Sequence, residues 1–310
     1  MHSYLCYGLR LNSEIPMPEL RKSKNRDPDV VVRYGDVDPP EGRGDKWGGR
    51  TIKNESGIIT FWMDRVGGLE AHHGREIIIA PSEGAEERGF RFLVAGIGLG
   101  LILHQRNLSS LHASAAVVGD GVVAFIGGKG MGKSTTVAAF HRAGCPVVTD
   151  DVLPYQIQAG GVEALPAFPS LKLFSDSVEA VFGEDPGDSP RIDPRGDKRT
   201  REVRDGFSEE ALPIRCIYVL DWKEPETNLE SSKMVGKEAC LELLRNSFAL
   251  RILKTGHPST DELHRLSRLT ERVPVKRLAR PHDLNLVDQI PGFIERDLAE
   301  STRSGVEMVS

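Results

Sequence analysis

Gly127, Gly132, Lys133 and Ser134, inside the stretch AFIGGKGMGKSTT at 124–136, stand at the spacing G-x-x-x-x-G-K-[ST]. A polyphosphate carries several negative charges that must be met without bulky side chains in the way. Glycines let consecutive backbone N–H groups turn inward as a nest, and a following helix adds the partial positive charge of its N-terminus. The candidate nucleotide-binding residues are therefore Gly127, Gly128, Lys129, Gly130, Met131, Gly132, Lys133, Ser134 and Thr135. Lys133 has the reach for the outer phosphates of ATP, and the Ser134 hydroxyl suits the Mg²⁺ that travels with them.

A second set of chemically able residues follows. Asp150 and Asp151 close the short apolar run 146–149, one crossover beyond the helix that leaves the glycine loop. In a parallel sheet with right-handed crossovers, the C-terminal ends of neighbouring strands share one edge, so this pair is expected beside the phosphates. One carboxylate there suits Mg²⁺, directly or through water; the other can accept a proton from an attacking hydroxyl. The competing role for the pair is to cap the next turn. His112 opens the strand before the loop strand, where a lone histidine is more often structural than catalytic. Lys172, Lys198 and Arg199 carry positive charge that a phosphoryl transition state needs, or else are solvated surface cations.

Positioning these groups requires regular elements, and the pattern supplies them. Residues 113–118 and 122–126 read as two strands joined by a tight GDG turn, and 134–143 as a helix stopped by Gly144. Residues 171–174 and 214–220 are further strands. The mixed-charge segment 183–206 reads as a mobile surface loop. Before this core, residues 1–82 hold short β-rich runs suggesting a small antiparallel unit, followed by a helical pattern from Gly84 to Gln105. The glycines of AGIGLGL (95–101) sit inside that pattern and suggest close helix packing. Near the C-terminus, Ser259 and Glu262 fit a capping box ahead of a helix with Leu263, Leu266 and Leu269 on one side. A last strand is expected in VPVKRL (273–278), then a helix over 283–298 interrupted near Pro291.

The composition narrows the class. The apolar share is 39%, the charged share 27% and the net charge −5, which argues against a protein built to coat nucleic acid. No apolar run has membrane-span length, and the four cysteines are scattered, as expected of reduced thiols in a cytoplasmic protein.

The segment LHASAAVVGDGVVAFIGGKGMGKSTTVAAFHRAGCPVVTDDV (111–152) resembles the nucleotide-binding core of the HPr kinase/phosphorylase family, whose fold is related to phosphoenolpyruvate carboxykinases. The segments FPSLKLF (168–174), GDKR (196–199) and RNSFAL (245–250) are similar to those of the HPr kinase-like lasso-peptide kinases, which phosphorylate a serine of a precursor peptide. The resemblance implies that Lys133 polarises the β/γ-phosphates and Ser134 binds Mg²⁺. It also implies that Asp151 is the proton acceptor, which leaves Asp150 for the metal, and that His112 belongs to the catalytic site.

The expected fold class is α/β: an HPr kinase/PEP carboxykinase-like P-loop core with a small β-rich N-terminal unit and a helical C-terminal region. The expected domains are 1–82 and 83–310. The expected function is ATP-dependent, Mg²⁺-assisted transfer of the γ-phosphoryl group to a serine of a peptide or protein partner, with no nucleic-acid or membrane partner. An HPr-type protein kinase, a small-metabolite kinase and a non-catalytic nucleotide-binding module are the alternatives. The oligomeric state stays open.

Overall fold

The computed structural model describes residues 1–24, 27–40, 50–192, 196–224, 228–253 and 258–307 of a mixed α/β protein. The β-rich runs at the N-terminus form an eight-stranded sheet. Its spatial order is Arg21–Lys22, His2–Cys6, Leu9–Ser13, Val30–Tyr34, Glu76–Pro81, Gly67–His72, Ile58–Met63 and Arg50–Glu55. The antiparallel expectation needs correcting, since Val30–Tyr34 runs parallel to both its neighbours, Leu9–Ser13 and Glu76–Pro81. Alternating apolar residues reveal which face is buried, but not which way the neighbouring strand runs.

That sheet packs on the helical run that starts at Glu87. Glu87–Leu93 and Leu99–Gln105 are α-helical, with a π turn at Val94–Gly98 between them. Leu69, Ile77, Phe90 and Leu101 share a core with Val152, Phe168 and Phe248 from later in the chain. A Cβ placed on Gly100 would fall 2.2 Å from the Phe248 ring, so Gly100 serves close packing, whereas one on Gly96 would meet nothing nearer than 3.8 Å.

The second sheet carries the candidate site. At its site-bearing end the strand order is Val147–Asp150, Ala113–Val118, Gly121–Ile126, Leu212–Lys223 and Val275–Pro281. It is mixed rather than parallel. Strands joined by a tight turn must be antiparallel, so Ala113–Val118 is inserted between the loop strand Gly121–Ile126 and the aspartate strand Val147–Asp150. The aspartate strand nevertheless runs in the direction of the loop strand, as do Leu212–Lys223 and Val275–Pro281. All four end at one edge.

Both faces of this sheet are covered, which explains its near-continuous apolar strands. On one face Phe125 packs against Phe140 of the helix Lys133–Arg142 and stacks with Tyr218, ring centroids 5.5 and 5.9 Å away. On the other, Ala124 and Ile217 pack with Leu243 and Leu269 of the helices Gly236–Arg245 and Thr260–Arg272.

Three local expectations change. Arg199–Glu202, inside the presumed surface loop, is a strand paired antiparallel with Ser170–Leu173; residues 193–195 of that segment lie outside the described residues. The Ser259 hydroxyl does cap the helix Thr260–Arg272, accepting from the Glu262 N–H, but Leu263 is 38% exposed while Leu266 and Leu269 are buried. The helix expected over 283–298 is two elements, a 3₁₀ helix Leu284–Gln289 and an α-helix Ile290–Glu307, which meet beside Pro291; the proline stands in the first α-helical turn, where its missing N–H costs nothing. Among the described residues no helix is long and apolar enough to cross a membrane.

Candidate active site

The loop is set by local sequence. Gly121–Ile126 delivers the chain to Gly127, and Gly127, Gly130 and Gly132 all take positive φ, at 150°, 83° and 76°. The helix Lys133–Arg142 then starts directly from Gly132. The turn reverses within a few residues, a path that side chains at those three positions would strain. Lys133 is buried, and its ammonium donates to the carbonyls of Gly127 (2.9 Å) and Gly128 (3.1 Å). Burial is the main reason its pKa falls to about 8, with the positive charge of Arg251 adding to the effect. Phosphate oxygens offered in place of those carbonyls would restore the charged form.

Ser134 sits in the first helical turn and donates to Asp150 Oδ1 at 2.8 Å. Asp150 is 2% exposed and collects two further hydrogen bonds, from Ser114 Oγ (2.6 Å) and from the Lys172 backbone N–H (2.8 Å). Burial, and then the neighbouring Asp151 charge, push its carboxyl above the usual range. A cation would relieve both costs. Two hard oxygens side by side are donors of the kind Mg²⁺ takes when phosphates supply the rest of its shell. Among the described residues there is no cluster of three or more acidic, His or Cys ligands, and such a site does not need one.

Asp151 differs from its neighbour. Its φ of 92° is a left-handed conformation that costs a non-glycine residue about 1–3 kcal/mol. Two contacts hold it there. The Lys172 ammonium reaches Oδ2 at 2.5 Å, and His112 Nδ1 lies 3.0 Å from the Asp151 carbonyl oxygen. Burial opposes ionisation, but Lys172, with Lys198 beyond it, keeps the carboxyl below the usual range. Its side chain is 28% exposed against 10% for Lys172, so this residue stays partly open to solvent.

A carbonyl can only accept, so His112 carries its proton on Nδ1 and donates it to Asp151. Burial drops the pKa of His112 to about 3, so the ring is neutral at physiological pH. It meets the backbone of Asp151 rather than its carboxylate and acts through position.

Of the predicted site residues, the structure brings Lys133, Ser134, Asp150, Asp151, His112 and Lys172 together. Lys198 lies close enough to act electrostatically on Asp150 and Asp151, with its ammonium 5.3 Å from the centre of the Phe174 ring. Arg199 departs from expectation. Its guanidinium bonds Ser175 Oγ (3.2 Å) and the Ser189 carbonyl (3.3 Å), fastening the charged segment instead of facing the carboxylates. Thr135 is in the loop's helix, but its hydroxyl pairs with Ser177 at 2.9 Å, leaving only its backbone for a ligand.

Four other contributors were not singled out in the sequence, although Ser114 and Asn246 lie inside segments that carry the resemblance. Ser114 lies one strand away from Asp150, at the matching register position. Asn246 accepts from the Gly127 N–H (3.1 Å), and its carbonyl accepts from the His112 N–H (2.7 Å), linking the loop's first glycine to the histidine. Arg251, on the short helix Phe248–Leu253, acts on Lys133, His112 and Asp151 by its charge. Arg280 donates through Nη2 to the Met131 carbonyl from the opposite flank of the loop. Asn246, Arg251 and Arg280 lie more than 100 residues beyond the loop in sequence.

No family model and no curated protein matches the chain. Among solved structures, the Hpr(Ser) kinase/phosphatase from Coxiella burnetii is similar over 64% of this chain and 93% of that chain, at 15% identity and a TM-score of 0.33. An overlap that loose places no residue of one protein on the other.

Proposed function

We propose that this protein is an ATP-dependent kinase that transfers the γ-phosphoryl group to a hydroxyl, with Mg²⁺ and the glycine loop holding the polyphosphate. The observation that carries the reading is the placement of Asp151: an ionised, partly open carboxylate, strained at φ 92°, at the same sheet edge as Lys133, Ser134 and Asp150. A loop that only held a nucleotide would have no use for it.

Each residue then has a task. The loop N–H groups and Lys133 bind the β- and γ-phosphates and offset charge that builds on the leaving oxygen. Ser134 and Asp150 would hold Mg²⁺, which would supply charge neutralisation to the transferring phosphate. Asp151 orients the acceptor hydroxyl and takes its proton as the new O–P bond forms and the bond from the γ-phosphorus to the β–γ bridging oxygen breaks, releasing ADP. Lys172 keeps Asp151 ionised, and His112 fixes its backbone. Lys198 adds positive charge on the acceptor side.

The acceptor we propose is a serine of a peptide or protein, in line with the resemblance to lasso-precursor kinases. Supporting it is the convergence of the three resembling segments on this site. FPSLKLF contributes Lys172, GDKR contributes Lys198, and RNSFAL contributes Asn246.

The test is a transfer assay with γ-labelled ATP and serine-bearing peptides, read by label and by the mass of one phosphate. Transfer by wild type and transfer about 10²–10⁴-fold slower by Asp151→Asn, with ATP still bound, is the expected result. Nucleotide binding without transfer to any peptide, protein or small hydroxyl compound would replace the kinase reading with that of a nucleotide-binding module.

A further inference from the structure

The glycine loop has two flanks, and the chemistry assigned above uses only one. The aspartates lie on the side of Val147–Asp150, so the terminal phosphate must point that way. The rest of the nucleotide must then leave toward the other flank, where the parallel strands Leu212–Lys223 and Val275–Pro281 end at the same sheet edge. In open α/β sheets, ligands lie across the carboxyl ends of such strands.

Three side chains stand there. Trp222 lies at the end of Leu212–Lys223, half-buried. Arg280 lies at the end of Val275–Pro281, 5% exposed, with its guanidinium carbon 4.2 Å from the centre of the Trp222 ring. His282 is exposed, and its ring meets Trp222 at 4.3 Å between centroids, inclined by 65°. Arg280 also touches the loop directly. Its Nη2 donates to the Met131 carbonyl and lies 2.6 Å from where a Cβ on Gly132 would be.

The bonding of Arg280 is incomplete. Among the described residues it has no ion pair, and its Nε is buried without a hydrogen-bond partner. A buried guanidinium with neither counter-charge nor full hydrogen bonding is costly, and such groups are kept where something else completes them. The missing partner must be polar, and it must lie against a π surface beside the phosphate loop. A nucleoside meets that description: a flat base that stacks on aromatic rings and guanidinium planes, with ring nitrogens and ribose oxygens as acceptors.

We infer that Trp222, Arg280 and His282 form the seat for the nucleoside end of the nucleotide, with Arg280 joining that seat to the phosphate loop. This rests on the nucleotide reading of the loop and adds to it the residues that distinguish a nucleotide from bare polyphosphate.

The experiment is calorimetric titration of full-length wild type, Trp222→Ala and His282→Ala with Mg·ATP and, separately, Mg·tripolyphosphate. Circular dichroism confirms folding of each variant. Wild type is expected to bind ATP about tenfold or more tightly than tripolyphosphate, and Trp222→Ala to lose about tenfold for ATP while tripolyphosphate changes less than about twofold. His282→Ala, whose exposed side chain is not needed for folding, is expected to lose a smaller factor with the same selectivity, and it stands alone if Trp222→Ala does not fold. Equal losses for both ligands, no loss for either, or a change only in the KM of the acceptor would overturn the seat and leave Arg280 as a brace for the loop. Wild type that binds tripolyphosphate no more weakly than ATP would also overturn it. Wild type that binds neither ligand would overturn the nucleotide reading itself.

Discussion

The two flanks of the glycine loop handle buried charge in opposite ways. On the aspartate flank, Asp150 is matched by three hydrogen bonds, and Asp151 by Lys172. On the other flank, Arg280 is nearly as deeply buried as Asp150, yet it has a single carbonyl and an aromatic face. Removing buried charges from water costs several kcal/mol each, so complete pairing is the usual outcome. The aspartate flank holds a fixed arrangement before anything binds, which is what the proposed proton transfer and metal binding would require. The arginine flank is left for a ligand to complete.

The largest expected effects break the aspartate flank. Asp151→Asn keeps the shape but removes the proposed proton acceptor, and kcat should fall about 10²–10⁴-fold with ATP affinity little changed. A variant with near-normal turnover would show that another group takes the proton. Lys172→Met should come next. It strands the Asp151 carboxylate, and since that group is partly open to water the loss of stability should be about 2 kcal/mol by chemical denaturation. The Asp151 carboxyl should also titrate higher, moving the acid limb of kcat/KM upward in pH. Asn246→Ala leaves the buried Gly127 N–H without its acceptor, for a loss of about 1–2 kcal/mol together with weaker ATP binding.

A pH titration sharpens the same comparison. Lys133, at about 8, is charged below that pH and increasingly neutral above it. ATP affinity should therefore fall above pH 8, by at most about tenfold per unit, as binding must then take up a proton. Stability moves the other way. The unfolded lysine holds its proton up to 10.5, so between about 8 and 10.5 the unfolded chain binds more protons and the fold gains as pH rises. Affinity and stability changing in the same direction would remove Lys133 from this role. The smallest effect lies far from either flank: Ser259→Ala should cost about 1 kcal/mol of stability by thermal melting, with kcat unchanged.

Much of the aspartate flank was legible because it is local. Strand, glycine loop, helix and Asp150-Asp151 follow within 30 residues, and glycine and lysine at fixed spacing report a backbone path directly. Sheet direction was not legible. The insertion of Ala113–Val118 beside the loop strand, and the parallel neighbours of Val30–Tyr34, depend on pairings that alternation does not encode. Arg199 shows the same limit for a side chain, since charge and neighbourhood suggested a transition-state contact while Ser175 and Ser189 hold it elsewhere.

By itself, then, the sequence determined a glycine turn, the lysine and serine at its exit and the acidic pair one crossover away, because short-range geometry leaves those residues few other paths. Only the tertiary structure decided which carboxylate is open, which cation holds it, and that Trp222 and Arg280 arrive at the loop from strands roughly 90 and 150 residues downstream. Such contacts are set by strand order and register. Those follow from burying two apolar faces at once, a property of the whole chain rather than of any stretch of it.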